Sequence, residues 1–326
     1  MKKLLLKWLA AIYGAVIWIW DAWFRRFPDR IQKVGARVIS VGNITWGGTG
    51  KTPLTTMIAR DLAEEGNKVA VLIRGYGDDE VQELRKKLPG IPVITGRNRV
   101  KSAREAIEKH GAKVLVLDDA FQHRKIHRDL NLLMINTTEP FGPGGLIPLG
   151  TLREPLESMA RADLFILTKC DVGSKNVHWI RQKINTLKPN AVIFEAVHKP
   201  VALRDPLKNR RIPPHDLRNH KVAALSGIGD PHSFEKMVEM QGAEVRFAAR
   251  YPDHHCFKTS EIAHFLKQSR NMGLREAVTT EKDFIRLKGI LEKSFQEDLR
   301  AFTFWILEIE FRVDDEEDFV RRCLHP

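Results

Sequence analysis

Cysteine is scarce: Cys170, Cys256 and Cys323 are the only three in 326 residues. They lie far apart, without metal or redox spacing, which argues against a disulfide framework and fits a reducing cytosol. No run of about 18 or more apolar residues is free of charge, so a clean membrane span is not evident. There is no internal repeat and no low-complexity tract. Acidic residues are in the minority, 41 against 53 Lys and Arg, for a formal charge of +12. That bias suits nucleic acid, anionic lipid or a phosphorylated substrate, and charge alone does not choose among them. The chain is long for one domain and comfortable for two.

The most informative stretch is Val41-Gly42-Asn43-Ile44-Thr45-Trp46-Gly47-Gly48-Thr49-Gly50-Lys51-Thr52-Pro53. The apolar run Arg37 to Val41 leads in as a buried strand, and a helix-capable stretch from Leu54 to Glu65 leads out. Strand, glycine loop, Gly-Lys-Thr and helix form the layout of a phosphate-binding loop. Glycines let backbone N–H groups turn toward phosphate oxygens, and the helix start adds its positive dipole end. Residues Thr45, Trp46, Gly47, Gly48, Thr49, Gly50, Lys51 and Thr52 are the expected nucleotide contacts, with Lys51 on the outer phosphates and the Thr52 hydroxyl on Mg²⁺. Thr45 stands where the usual pattern has glycine, and Gly47 and Gly48 supply flexibility instead. The bland alternative is a glycine-rich turn that binds nothing.

Residues 2–27 are mostly apolar and rich in Trp. On a helix, Lys3, Lys7, Ala10, Gly14, Asp21 and Arg25 share one narrow stripe. Leu4, Leu5, Trp8, Ile12, Val16, Ile19, Trp20 and Trp23 form a broad greasy remainder, bracketed by Lys2, Lys3, Arg25 and Arg26. Trp and basic residues at both ends suit a bilayer interface. A peripheral anchor is the expectation; a core helix is the alternative. A signal peptide would separate a nucleotide domain from its ATP.

Val69 to Ile73 reads as a second strand, ending in the polar turn Arg74-Gly75-Tyr76-Gly77-Asp78-Asp79-Glu80. Carboxyl ends of strands in an open parallel sheet carry the site. Asp79 and Glu80 are therefore candidates for a base or a metal contact, against the simpler role of helix-start charges. Pro92-Val93-Ile94 is a short strand before the basic loop Gly96-Arg97-Asn98-Arg99. Val114-Leu115-Val116-Leu117-Asp118-Asp119 closes an apolar strand on two carboxylates, the Walker B arrangement that holds Mg²⁺. His123 follows, as a phosphate or substrate contact or as a structural histidine. Asn131 to Asn136 is a further strand. The Pro- and Gly-rich loop 141–155 is unlike solvated coil, and Arg153 and Glu154 are its only charges. Leu164 to Asp171 reads as a strand with Thr168-Lys169-Cys170-Asp171 at its end, similar to the guanine-selecting motif of GTPases, which motivates a rival: a GTPase or metallochaperone-type NTPase.

Basic and Pro-rich residues 199–214 mark a boundary, and Val222 to Ser226 restarts an α/β pattern. Gly227-Ile228-Gly229 is either a phosphate turn or a tight strand-to-helix turn. Asp253-His254-His255 precedes a helix from Ser260 to Arg270; adjacent histidines suggest zinc, but no third ligand has suitable spacing. Residues 302–311 read as a final edge strand.

Taken together, Gly42 to Pro53, Arg74 to Gly77, Asp118 to His123, Leu152 to Pro155, Gly227 to Pro231 with Phe234, Asp253 to His255, and Thr280 to Asp283 resemble the tetraacyldisaccharide 4′-kinases of lipid A synthesis, in order over nearly the whole chain. The resemblance implies transfer of the ATP γ-phosphate to the 4′-hydroxyl of a tetraacylated glucosamine disaccharide 1-phosphate, giving lipid IVA, with ATP and Mg²⁺. It implies that Asp79 is catalytic, paired with His254, although Asp78-Asp79-Glu80-Val81 departs from the usual Gly-Asp-Glu-Pro and Asp78 is the alternative. It places Thr52, Asp118, Asp119 and Glu154 at the metal, and Arg74, Tyr76, Arg99 and His123 at the substrate. It further implies work on the cytoplasmic face of the inner membrane, at a site between two closing domains; no nucleic-acid partner is expected, and the sequence does not give the oligomeric state, a monomer being the expectation. The expected fold is α/β: a P-loop NTPase-like, mostly parallel sheet with a smaller second α/β domain and an N-terminal membrane-associated helix. The expected divisions are 1–27, 28–200 and 215–326. A nucleic-acid-binding ATPase, suggested by charge alone, lacks an aromatic stacking platform or recognition motif.

Overall fold

The computed structural model describes residues 2–47, 49–75, 78–253 and 255–324, without the side chains of residues 2, 78–80 and 83. Two compact units emerge, one from 1–197 with 311–326 and one from 198–310.

The first unit opens with helix α1 (Lys2–Arg26), which stops before Pro28 because the residue preceding a proline is disfavoured in helix. Strands β1 (Arg37–Asn43), β2 (Val69–Ile73), β3 (Val93–Thr95), β4 (Val114–Leu117), β5 (Leu130–Asn136) and β6 (Leu164–Thr168) alternate with helices α2 (Lys51–Glu64), α3 (Asp78–Lys87), α4 (Arg99–His110) and α5 (Ser174–Leu187). With the first part of β7 (Val192–Asp205), the sheet order is β7-β6-β5-β1-β4-β2-β3, every pairing parallel. The strands are buried on both faces, which is why they read as unbroken apolar runs rather than alternating ones. Ile39, Val41, Leu54 and Ile58 fill one face, while Val38, Ala70, Leu72 and Ala103 fill the other. Truncating one such side chain, Leu54→Ala for instance, costs about 2–5 kcal/mol.

Two of α1's sides have opposite fates. Ala10 and Phe24 are buried, the Gly14 backbone lies so near Leu146 that an added Cβ would sit 2.9 Å from its Cδ1, and Asp21 pairs with Arg124 and Arg161. The middle of the narrow stripe, Ala10, Gly14 and Asp21, therefore docks on the protein together with Phe24, while Lys3, Lys7 and Arg25 stay exposed. The greasy remainder faces outward: Leu4, Leu5, Trp8, Ile12, Val16, Trp18, Ile19 and Trp23 are all exposed, Trp8 by 65 %. By length and composition alone, Lys3–Arg26 is sufficient to cross a membrane, charged residues included.

In the second unit, β8 (Arg210–Ile212) pairs antiparallel with the latter part of β7. Then come β9 (Lys221–Ser226), α6 (Pro231–Met240), β10 (Glu244–Arg250), α7 (Thr259–Asn271), β11 (Glu276–Thr279), α8 (Glu281–Ser294), α9 (Gln296–Ala301) and β12 (Thr303–Val313). The order is β10-β9-β11-β12-β7. Two sequence expectations change here, and a third stretch gains detail. The boundary stretch 199–214 is built of strand, since β7 and β8 occupy most of it. Strand β12 is interior rather than an edge: Phe304, Trp305 and Ile306 are buried, with β11 on one side and β7 on the other. Finally, 311–326 returns to the first unit instead of closing the second. Helix α10 (Glu316–Leu324) seats Phe319 and Cys323 in the first unit's core, with the Phe319 ring 5.3 Å from that of Phe194.

Candidate active site

The loop from β1 to α2 is braced from three directions. Asn43 Nδ2 donates to Thr49 Oγ1 (3.0 Å), Thr168 Oγ1 donates to the Thr49 carbonyl (3.1 Å), and Gln122 Nε2 donates to the Asn43 carbonyl (2.8 Å). The proline- and glycine-rich loop runs alongside it. Trp46 N–H donates to the Thr151 carbonyl and Arg153 N–H to the Ile44 carbonyl, each at 2.7 Å, and Thr45 bridges Leu152. Thr45 and Thr49 are consequently buried, whereas the Trp46 side chain stands out. Gly50 precedes α2 with φ 83°, a left-handed conformation costly for any residue with a Cβ. Among the described residues no side chain caps α2, and its first turn holds no carboxylate. The helix start thus keeps its N–H donors for an anion.

Asp118 and Asp119 end β4 close to this loop. Asp118 is 4 % exposed and its Oδ1 accepts from Thr55 Oγ1 of α2 at 2.8 Å. Asp119 turns left-handed, φ 47°, which an aspartate tolerates. Its Oδ1 lies 2.7 Å from Arg153 Nη1 and 3.7 Å from Lys51 Nζ. Burial pushes the Asp119 carboxyl upward, but Lys51 and Arg153 outweigh it and hold the group below the usual carboxylate range. Arg153 Nη1 also reaches Asn43 Oδ1 at 3.3 Å. Lys51, Asp119 and Arg153 are therefore brought together, with Asp118 tied to α2 through Thr55 and Thr52 next to Lys51 in the chain. Arg153 has no role legible in the sequence, because its partner Asp119 is set by a loop-to-loop register that no local pattern encodes.

Glu154 is placed differently. It is buried, and its carboxylate meets Arg161 Nη2 at 2.5 Å. Among the described residues no three His, Cys, Asp or Glu side chains form a metal-holding group, so Glu154 does not complete one with Asp118 and Asp119.

Of the substrate candidates, Arg99 is 2 % exposed and spends its guanidinium on the carbonyls of Gly96 (3.0 Å) and Asp118 (2.8 Å). It is a strut beneath Asp118 rather than an exposed ligand. His123 is pushed down to about 4 by burial first, and then by Arg99, Arg128, Lys125 and Arg74. It is neutral at physiological pH, and among the described residues its buried Nε2 has no hydrogen-bond partner. Arg74 follows the end of β2 and is exposed. Asp79 lies in the first turn of α3, which follows β2, and β2 neighbours β4 in the sheet; the Asp79 side chain lies outside the described residues, as do Gly48, Tyr76 and His254.

In the second unit the Gly227 turn is already satisfied: Gly227 N–H donates to Asp283 Oδ2 at 3.0 Å. Burial raises the Asp283 carboxyl, against the opposing hydrogen bonds from Thr280 and Gly227. His255 pairs with Glu261 at 2.9 Å and stacks on Tyr251.

The comparisons with known proteins point one way. A family profile described as tetraacyldisaccharide-1-P 4′-kinase matches residues 2–325. The chain is similar to the tetraacyldisaccharide 4′-kinase of Halothermothrix orenii (34 % identical over 323 residues, 89 % of this chain and 83 % of the relative). It is also similar to those of Syntrophus aciditrophicus (35 %, covering 97 % and 91 %) and Anaeromyxobacter dehalogenans (37 %, covering 90 % and 86 %). Among solved structures, LpxK from Aquifex aeolicus in complex with ATP superposes with a TM-score of 0.70 at 27 % identity, over 99 % of each chain.

Proposed function

The chain belongs to the tetraacyldisaccharide 4′-kinase family, and from that premise we propose how its residues carry the reaction. It is a kinase of lipid A biosynthesis that uses ATP to phosphorylate the 4′-hydroxyl of an acylated disaccharide. The GTPase rival built on Thr168 to Asp171 is not favoured.

The observation that carries the residue-level reading is the meeting of Lys51 and Arg153 on Asp119, beside the uncapped start of α2. Residues 45–52 wrap the outer phosphates of ATP. Lys51 and the first amides of α2 receive their charge, and Arg153 faces the transferring group as Asp119 releases it. Such pre-set donors supply most of what phosphoryl transfer needs, since the chemistry is chiefly positioning and charge stabilisation. Thr52, Asp118 and Asp119 would hold Mg²⁺. They are hard oxygen donors without a complete protein cage, which fits an ion that keeps waters and phosphate oxygens in its shell. When bound, Mg²⁺ neutralises phosphate charge. Glu154 is assigned instead to Arg161.

Asp79 takes the proton from the 4′-hydroxyl. The sugar oxygen bonds to the γ-phosphorus, the bond from that phosphorus to the β–γ bridging oxygen breaks, and ADP leaves. Support for Asp79 comes from its position after β2, next to β4, whose end carries Asp118 and Asp119. The resemblance pairs it with His254. Arg74, Tyr76 and neutral His123 line the substrate side. The outward face of α1 lies in the cytoplasmic leaflet of the inner membrane, where the lipid substrate resides.

The test is Asp79→Ala, assayed with radiolabelled ATP and the acylated disaccharide in detergent micelles. Turnover is expected to fall by about 10²- to 10⁴-fold while ATP affinity stays within reach of the parent's. Equal loss of both contradicts the base assignment, and collapse in Asp78→Ala with Asp79→Ala active moves the role to Asp78.

A further inference from the structure

Helix α1 is tied to the phosphate-binding machinery, and not only to the outside of the fold. The Tyr13 hydroxyl donates to the backbone carbonyl of Arg153 at 2.8 Å. Arg153 is the residue whose guanidinium grips Asp119, which in turn faces Lys51. Eight positions further along α1, Asp21 forms ion pairs with Arg124 and with Arg161 (3.8 Å). Arg124 is largely buried, and Arg161 is shared with buried Glu154. The Arg161 guanidinium also covers the Phe121 ring, 4.6 Å from its centroid. Between those two levels, Gly14 lets Leu146 of the same loop close against the helix backbone.

The helix therefore holds both flanks of the site. Phe121 and Arg124 follow Asp119 directly in the chain; Leu146, Arg153, Glu154 and Arg161 belong to or follow the loop that braces residues 44–46. Asp21 supplies the anion that several clustered cations require: burial and Arg124 both weigh against the charge on Arg161, and Glu154 and Asp21 sustain it. Removing one partner from such a set leaves charge uncompensated in a poorly solvated place, which moves the segments that carry it.

We propose that α1 is a positioning element of the phosphoryl-transfer centre, in which Tyr13 and Asp21 set the register of Arg153 against Asp119 and Lys51, independently of its outward lipid-facing side. The proposal rests on the site reading above. It makes the docked helix part of what turns bound ATP over, so that an anchor of equal greasiness but without Tyr13 and Asp21 would not substitute.

The experiment uses the full chain in mixed detergent micelles, where membrane capture does not limit the rate. It measures kcat and both KM values, with pelleting on phosphatidylglycerol–phosphatidylethanolamine vesicles as a separate readout. Tyr13→Phe, which removes one oxygen, is expected to lower kcat by about threefold to tenfold, and Asp21→Asn by about tenfold or more, as small misplacements do. KM for ATP, KM for lipid and vesicle pelleting stay near the parent's, and Asp21→Glu recovers most of the kcat. The proposal is overturned if kcat is unchanged in both variants, or if vesicle pelleting falls instead of kcat. It is also overturned if the kcat loss only tracks a lower ATP-binding stoichiometry that Asp21→Glu leaves unrestored. Should Asp21→Asn misfold, Tyr13→Phe decides. Arg153→Ala separates the two layers: if it leaves kcat intact the site reading itself fails, whereas a collapse there beside an active Tyr13→Phe sinks only the role of α1.

Discussion

Two of the chain's strand–glycine–helix turns have opposite chemistry. Before α2, the glycine loop leads into a helix with neither a side-chain cap nor an acidic first turn among the described residues, with Lys51 as its first residue. Before α6, Asp230 caps the helix by accepting from Ser233 N–H at 3.1 Å, and Asp283 takes the Gly227 N–H. Glycine spacing does not tell these apart. What separates them is whether the protein has already spent the backbone donors, because a satisfied N–H has nothing left for a phosphate.

The comparison can be broken most severely at Lys51. Lys51→Ala is expected to lower kcat by about 10²- to 10³-fold, the usual cost of losing one pre-set electrostatic contact, while thermal unfolding of the apoprotein moves little. If turnover survives, the first turn is no more a phosphate site than the second. Next in size is Asp230→Ala at the second turn, expected to cost about 1 kcal/mol of stability for the lost cap, read by urea unfolding. KM for ATP should not change; a large rise would mean that the second turn also handles nucleotide.

The subtlest effect concerns Asp283. Its folded carboxyl is raised, so the native state binds a proton more tightly than the unfolded chain does. The stability it contributes is therefore complete below the unfolded carboxylate range and is lost as pH rises through the elevated value. Asp283→Asn keeps an acceptor for Gly227 and removes that group's titration, so unfolding measured from mildly acidic to neutral pH should lose part of its downward slope. An unaltered slope would show that Asp283 does not pay its burial in the second turn.

The first unit's strands were legible because double-sided burial demands continuous apolar runs: Val69 to Ile73 and Val114 to Leu117 are observed with the boundaries read from sequence, whereas the run read as Leu164 to Asp171 stops as strand at Thr168. The places of Thr52 at the start of α2 and of Asp118 and Asp119 after β4 were legible because helix starts and strand ends carry such residues at recognisable offsets. Arg153 and Glu154 were harder. They are adjacent in sequence, yet one turns to Asp119 and the other to Arg161, a division made by the loop's contact with residues 44–46 rather than by composition. The docking side of α1 was hidden for a related reason. A stripe of Ala10, Gly14 and Asp21 looks like the weak side of an amphipathic helix until Arg124 and Leu146 are seen opposite it. Edge and interior strands are likewise indistinguishable by local apolarity, which is how β12 came to be read as an edge.

Strands β7 and β12 each pass from one unit into the other, and α10 then fills the first unit with Phe319 and Cys323. During synthesis, the ATP-handling half therefore waits with an incomplete interior while the whole of 198–310 is made. Domains usually mature in the order in which they leave the ribosome; here the inserted half is free to finish first. A premature stop just beyond residue 310 would leave that later-made half intact and cripple the earlier one.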